Sequence, residues 1–361
     1  MNIYDIVSFG GFFLIISFLL FLDLGLFHKD DHVVTFKESA IWTSVWVGVA
    51  SLFGVFIYFF GEYLHGVDSV EALQAIIARN AHEISIDASL PLADLLQQYR
   101  SQLTLEYFPG YLIEFALSVD NIFVMIMIFV SFGIEQKYYH RVLFWGILGA
   151  VVLRLVFIFL GAALIHQFEW ILAVFGAIII VSGLKMLFEK EKKEKFDTEN
   201  HAAVKFVSKF FPLSKEVVGH DFFVKKDGKW YMTTLFLVLC VIEFSDIIFA
   251  VDSIPTIFSV TQDPYIVFFS NIFAIMGLRS LFFMMNNVMN MFSRLKTGLG
   301  VLLIFIGVKM LLHFFCGIKI ETAHSLIIII SIIGLSILAS ILFPKKEEAV
   351  EEVKDDSEIV G

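Results

Sequence analysis

Glu114-Phe-Ala-Leu-Ser118-Val-Asp120-Asn121 and Glu243-Phe-Ser-Asp246-Ile-Ile-Phe-Ala-Val-Asp252-Ser253-Ile-Pro255 are two versions of one pattern. Asp120 follows Glu114 by six residues, and Asp252 follows Asp246 by six. Each pair stands inside an otherwise apolar run. Ionisable groups at membrane depth are costly and tend to mark ion or proton pathways. The fold and the chemistry are read outward from these two places.

The setting is a membrane protein. The 361 residues are 58% hydrophobic, with 42 Phe and only 17% charged residues, and mean hydropathy is +0.83. Soluble domains carry more charge and lack repeated apolar runs of about twenty residues. The net charge of −10 comes with no basic face for nucleic acid. Cys240 and Cys316 lie in separate apolar runs and form no C-x-x-C pair, which excludes a disulfide framework or a thiolate zinc site. The first apolar run has no basic stretch before it and no small-residue cleavage site after it, so we expect a retained span, not a leader.

A span needs about 20 apolar residues. The sequence predicts an all-α protein with nine spans, at 4–26, 40–61, 110–132, 142–165, 169–188, 232–258, 265–288, 298–316 and 324–343. Segment 189–231 carries ten Lys and no Arg, which assigns it to the cytoplasm. Counting outward from it places 19 of the 26 basic residues inside, and leaves only Arg79, Arg100 and Lys319 outside. The N-terminus is then expected outside and the acidic tail 344–361 inside, disordered by composition.

Two connections are long. Segment 62–109 holds seven acids against two arginines. Leu73, Ile76 and Ile77, then Leu92, Leu95 and Leu96, recur at helical spacing. The expectation is a pair of short amphipathic helices on the outer membrane surface, either a solvated connector or an acidic apron that attracts cations. In the cytoplasmic segment 189–231, Asp227-Gly228 between Val224 and Trp230 predicts a small hairpin.

Aligning Asp120 with Asp252 pairs Glu114 with Asp246 and brings further matches into line. Arg154 meets Arg279, and Gly183-Leu-Lys185-Met-Leu meets Gly307-Val-Lys309-Met-Leu. The Arg-to-Lys separations are 31 and 30 residues. Units 110–188 and 232–316 each span three helices, and the loop count sets them in opposite orientations. Residues 1–61 precede them as two spans, and 317–343 follow as a last one. Inverted repeats of this kind build secondary transporters, with the substrate held near the midplane where the units meet.

A helix turns by about 100° per residue. Glu114, Ser118 and Asn121 therefore share a face, and Asp120 points away from Glu114. Glu243 and Asp246 share a face, with Asp252 roughly opposite Glu243. Convergence of all these oxygens needs an interruption. Pro255 lacks an amide hydrogen and clashes with the carbonyl of Val251, so a kink or break is expected there. The candidate metal ligands are Glu114, Asp120, Asn121, Glu243, Asp246, Asp252 and Ser253, with backbone oxygen. Such hard oxygen donors suit Mn²⁺, Ca²⁺ and Mg²⁺. Arg154, Arg279, Lys185 and Lys309 are the intramembrane bases. The two arginines are expected as counter-charges, and the two lysines are placed to snorkel toward the interfaces. The bland alternative is that acids and bases pair only to hold the bundle together. His166, His313 and His324 sit at outer helix ends, and the Met-rich run 284–291 at an inner one. Both read as interfacial or gap-filling.

The stretches around Glu114 and Glu243 resemble those of the TerC/Alx family of bacterial membrane proteins, over about 4–316 and the last helix too. The resemblance implies membership of the wider lysine-exporter superfamily and a multi-pass protein of the bacterial inner membrane. It also implies a role in metal homeostasis, with manganese efflux for the Alx branch. Acidic positions of functional weight in that family correspond to Glu114, Asp120, Glu243 and Asp252, and Asp246, Asn121 and Ser253 also fit its pattern. The family is named for tellurite resistance, but nothing in this sequence is built for an oxyanion.

The expected function is export of a divalent cation, Mn²⁺ foremost, by alternating access at the repeat interface, with proton entry as the candidate driving force. The lipid bilayer and the transported cation are the expected partners, with no tightly bound cofactor. The alternatives are a Ca²⁺ transporter with the same ligands, or a membrane scaffold for metal-stress, tellurite-resistance or secretion-linked metalation proteins, docking through 189–231. No Walker loop, H-E-x-x-H or G-x-S-x-G motif is present, so no enzyme is expected.

Overall fold

The computed structural model describes residues 34–82, 84, 87, 90–168, 170–188, 204–205, 221–226, 229–288 and 295–342, with five single positions between 10 and 18. The elements are α1 (Phe36–Phe60), α2 (Glu62–His65), α3 (Val70–Asn80), α4 (Leu92–Ser131), α5 (Tyr139–Gln167), α6 (Ile171–Phe188), β1 (Phe223–Lys226), β2 (Lys229–Met232), α7 (Thr234–Phe258), α8 (Pro264–Met276), α9 (Leu278–Val288), α10 (Leu295–Cys316) and α11 (Thr322–Leu342). Among the described residues, seven helices are long and apolar enough to cross a membrane, and an eighth crossing arises if the bent pair α8 and α9 is one span. Only those five positions of the expected first span at 4–26 are described, and the tail 344–361 lies outside the described residues. The hairpin is present: β1 and β2 pair antiparallel, with Lys226 opposite Lys229.

Lipid tails give helices no hydrophobic reason to associate, so close packing and buried polar contacts must hold them. The α6–α10 pair shows how. A Cβ on Gly176 would stand 3.1 Å from the Gly307 carbonyl oxygen, and one on Gly183 would stand 2.8 Å from that of Gly300. Rising number on α6 meets falling number on α10, so the two helices cross antiparallel with their backbones in contact. Helix α4 packs on α7 and α8, and α5 packs on the same two helices. Each of α4, α5 and α6 thus packs against the helix that the sequence alignment pairs with it.

Two local expectations are corrected. Leu92, Leu95 and Leu96 do not open a separate surface helix. They begin the 40-residue α4, which runs straight through Pro109. Leu73 and Leu95 are 1% and 2% exposed, so the apolar faces of both helices pack against the protein. Pro255 also fails to end its helix, since α7 continues to Phe258. Ser253 through Phe258 are all buried, and the Thr256 hydroxyl donates to the Asp252 carbonyl at 2.5 Å. Only the last turn of the helix is affected, and packing holds it. The broken span is the next one: α8 and α9 meet at Gly277 with a bend of 41°.

Candidate functional site

The centre of the bundle is built from one side chain on each of four helices. Arg154 of α5 is 1% exposed, Glu114 of α4 and Asn271 of α8 are fully buried, and Asp246 of α7 is 5% exposed. Arg154 Nη1 donates to Glu114 Oε1 and to Asn271 Oδ1 at 2.6 Å. Its Nη2 stands 3.5 Å from Asp246 Oδ1. Asn271 is held in turn, its Nδ2 donating to the Val267 carbonyl at 3.0 Å. The arginine therefore lies between the two acids that the repeat alignment equates.

The helix faces explain which residues gather. Glu114, Ser118 and Asn121 all point inward, at 0%, 2% and 4% exposure. Asp246, Ala250 and Ser253 take the aligned positions on α7 and are buried too. Asp120 and Asp252, one residue off that face, are only half-buried. Asp252 turns to α6, where Ser182 Oγ donates to its Oδ1 at 2.8 Å. Glu243 is half-buried, and its carboxylate lies where a side chain on Gly149 of α5 would have to stand. A cavity of about 10 Å³ lies beside Glu243 and Asp246, lined also by Gly146, Ala150, Met125 and Leu278. That is room for about one water.

The seven expected ligands therefore do not converge in this conformation. Glu114, Asn121, Asp246 and Ser253 face the centre, while Glu243, Asp252 and Asp120 stand around it. Among the described residues, no three His, Cys, Asp or Glu side chains are grouped to hold an ion. The donor set is nonetheless unfinished. Glu114 Oε2, Asp246 Oδ2 and Ser253 Oγ are buried with no hydrogen bond within 3.5 Å, and the Ser253 hydroxyl stands beside the Glu114 carboxylate. A buried acceptor left unpaired costs about 1–3 kcal/mol, and more when charged.

The bases differ from one another. Arg279 is 4% exposed at the start of α9, just past the Gly277 bend. Lys185 is exposed. Lys309 is 9% exposed. It lines a cavity of about 100 Å³ with Asn80, Glu106, Thr261, His313 and Lys319.

Sequence reasoning missed Asn271. The signal available was its position, a lone amide in the apolar run from Tyr265 to Met276. It also missed a second buried cluster at the N-terminal end of α8, on the side that the loop count expects to face outward. His82 Nδ1 meets Glu106 Oε1 at 2.9 Å, and His65 Nδ1 meets the Tyr99 hydroxyl at 2.9 Å. Asp263 Oδ2 stands 3.2 Å from His65 Nε2 and 3.5 Å from His82 Nε2. Thr261 Oγ1 donates to Glu106 Oε2 at 2.5 Å. Burial opposes the His82 charge, but the Glu106 and Asp263 carboxylates outweigh it and raise its pKa to about 10. Burial also opposes the Asp263 charge, and His65 and His82 more than offset it, holding that carboxyl well below the usual range.

Comparison with known proteins agrees with this anatomy. The Integral membrane protein TerC family matches residues 99–348. An uncharacterized membrane protein of Myxococcus xanthus, STKORF319, is 38% identical over 333 residues, covering 92% of this chain and 91% of its own. Two further relatives are provisionally named membrane-bound redox modulator Alx. That of Photorhabdus laumondii is 37% identical over 92% of this chain and 93% of its own. That of Escherichia coli is 36% identical over 95% and 97%. No solved structure matches the chain. With buried carboxylates on apolar helices, and a family match over residues 99–348, the chain belongs to the TerC family of integral multi-pass membrane proteins.

Proposed function

We propose that the protein exports a divalent cation, Mn²⁺ foremost, through a site shared by Glu114 and Asp246. The observation that carries this reading is the pair of buried acids at equivalent places in two units, each with a carboxylate oxygen that makes no hydrogen bond. Hard oxygen donors without nearby His or Cys favour Mn²⁺, Mg²⁺ or Ca²⁺ over softer metals. Antiparallel crossing of α6 and α10 supports an inverted pair of three-helix units, the build in which alternating access moves a central site between two sides. The Lys-rich segment 189–231 supports a bacterial inner-membrane protein with that segment and the C-terminus in the cytoplasm and the N-terminus outside.

In this mechanism the ion enters from the cytoplasm and is bound by the Glu114 and Asp246 carboxylates, with Ser253 and Asn121 completing the oxygen set. The two units then rock about the site and open it outward. Export works against the membrane potential, at about 2.3 kcal/mol per charge per 100 mV. Proton entry would drive it, carried by the same carboxylates or by half-buried Asp120, Asp252 or Glu243. The protein holds no resident cofactor and performs no covalent chemistry in this account.

The test is ion flux in proteoliposomes of the purified protein, with Mn²⁺, Ca²⁺ and Mg²⁺ compared and a pH gradient imposed or omitted. Gradient-driven Mn²⁺ movement in preference to Ca²⁺ supports the proposal. Ca²⁺ preference makes the protein a calcium transporter with the same ligands. Movement indifferent to the gradient makes it a channel. No flux of any of the three sinks the transport reading in favour of a scaffold acting through 189–231.

A further inference from the structure

We propose that Arg154 is a built-in competitor of the transported cation. It rests between Glu114 and Asp246 when the ion is absent, and moves along its own helix to Glu243 when the ion binds. This inference rests on the cation-site reading above.

Charge arithmetic gives the reason to move. Two carboxylates with one guanidinium carry −1. Two carboxylates with a divalent ion carry zero. All three together carry +1 in a water-poor interior, where unbalanced charge is expensive. An entering divalent ion therefore expels the arginine, and the arginine closes the site again after release. The contacts in place fit a temporary partner: Arg154 Nε, Glu114 Oε2 and Asp246 Oδ2 all lack a hydrogen bond.

Geometry gives the place to go. Gly146 and Ala150 stand eight and four residues before Arg154, on the same face of α5. Long side chains on a helix lean toward its N-terminus, and these two small residues leave that path open. They line the cavity shared with Glu243 and Asp246. Glu243 can rest against α5 only because residue 149 is glycine, since a Cβ there would overlap its carboxylate. A half-buried carboxylate thus waits at the end of the path. The cavity takes about one water, so the move needs a small opening between α5 and α7.

The test is Mn²⁺ titration of the purified full-length protein in nanodiscs, beside flux in proteoliposomes. Arg154→Gln should bind Mn²⁺ about tenfold more tightly or better, within the usual span of site-to-site coupling, and should lose uphill transport. Weaker or unchanged binding in a folded Arg154→Gln protein overturns the proposal and leaves Arg154 a structural counter-charge. Glu243→Gln should weaken binding about fivefold in the parent and change nothing in the Arg154→Gln background. An equal loss in both backgrounds would make Glu243 a direct ligand and overturn its part in the exchange. If Arg154→Gln does not fold, Ala150→Val narrows the path without touching the acids. Weaker Mn²⁺ binding at unchanged melting temperature then supports the exchange, and unchanged binding overturns it. If neither the parent nor Arg154→Gln binds Mn²⁺ or Ca²⁺, the cation-site reading fails, and this inference falls with it.

Discussion

Two buried charged clusters lie at different depths along α8. One gathers at Asn271 and the other at Asp263, eight residues away, or about 12 Å along a helix. Both are made of side chains from distant parts of the chain, and both are almost fully buried. They differ in how many bases face the acids. In the outer cluster, Glu106 accepts from His82, Thr261 and Gln102, and Asp263 faces two histidines. In the central cluster one arginine is divided among Glu114, Asn271 and Asp246, and one oxygen of each acid makes no hydrogen bond. Asp263 Oδ2 also makes no hydrogen bond, but two histidines face it. The outer cluster therefore has one base for each acid and serves as a joint, whereas the two central acids share a single guanidinium. The outer cluster ties segment 62–82, the N-terminal half of α4 and the α7–α8 connection together. The central one holds two acids on one arginine, the imbalance on which the cation-site proposal rests.

The contrast predicts a separation of phenotypes. Glu114→Gln and Asp246→Asn should each lower Mn²⁺ transport by about a hundredfold or more, the scale on which an unpaired or missing charged partner acts. Detergent gel filtration should show the proteins folded. Transport at parental rates in either would break the comparison at its central end.

Glu106→Gln should do the reverse. It removes the carboxylate that faces His82 and costs about 1–3 kcal/mol of stability, read as a lower melting temperature. Transport per folded molecule should stay within about threefold of the parent. A hundredfold transport loss would mean that the outer cluster also handles the ion.

The outer cluster should be sensitive to alkali. The His82 pKa rises from an ordinary value of 6.5 to about 10 on folding. A raised folded value stabilises the fold fully below pH 6.5, and that stability is lost as pH climbs toward 10. Asp263 is shifted the other way, so its contribution is present above its ordinary value of 3.8 and is lost as pH falls below it. Thermal melts from pH 6 to 10 should decline, and the decline should be shallower in His82→Gln. Identical slopes would remove His82 from the account.

The smallest effect is expected at Thr261→Val, which deletes one donor to Glu106. A net cost of about 1 kcal/mol follows, measurable as a small drop in melting temperature with transport unchanged.

Much of this was legible from local pattern. Hydropathy marks every described span, because a lipid-facing helix must be apolar along its length. Helical periodicity separates Glu114 and Asn121 from Asp120, and burial follows that division. The outer cluster was not legible in the same way. His65, His82, Glu106 and Asp263 are scattered over nearly 200 residues, and no spacing rule connects them. The acids of 62–109 read as a solvated edge because their partners come from elsewhere in the chain. Pro255 misled for a related reason. Its local rule predicts a break, but burial of the whole last turn holds the helix, and the bend falls at Gly277. The central arginine was placed by the repeat alignment, whereas Asn271, which fixes its direction, had no counterpart in the first unit to point to it.

The most direct test places Asp246→Asn and Glu106→Gln side by side in one assay, Mn²⁺ uptake into inside-out vesicles under an imposed pH gradient. The account predicts that uptake vanishes in Asp246→Asn and persists in Glu106→Gln. Persistent uptake in Asp246→Asn would contradict a cation site shared between Glu114 and Asp246.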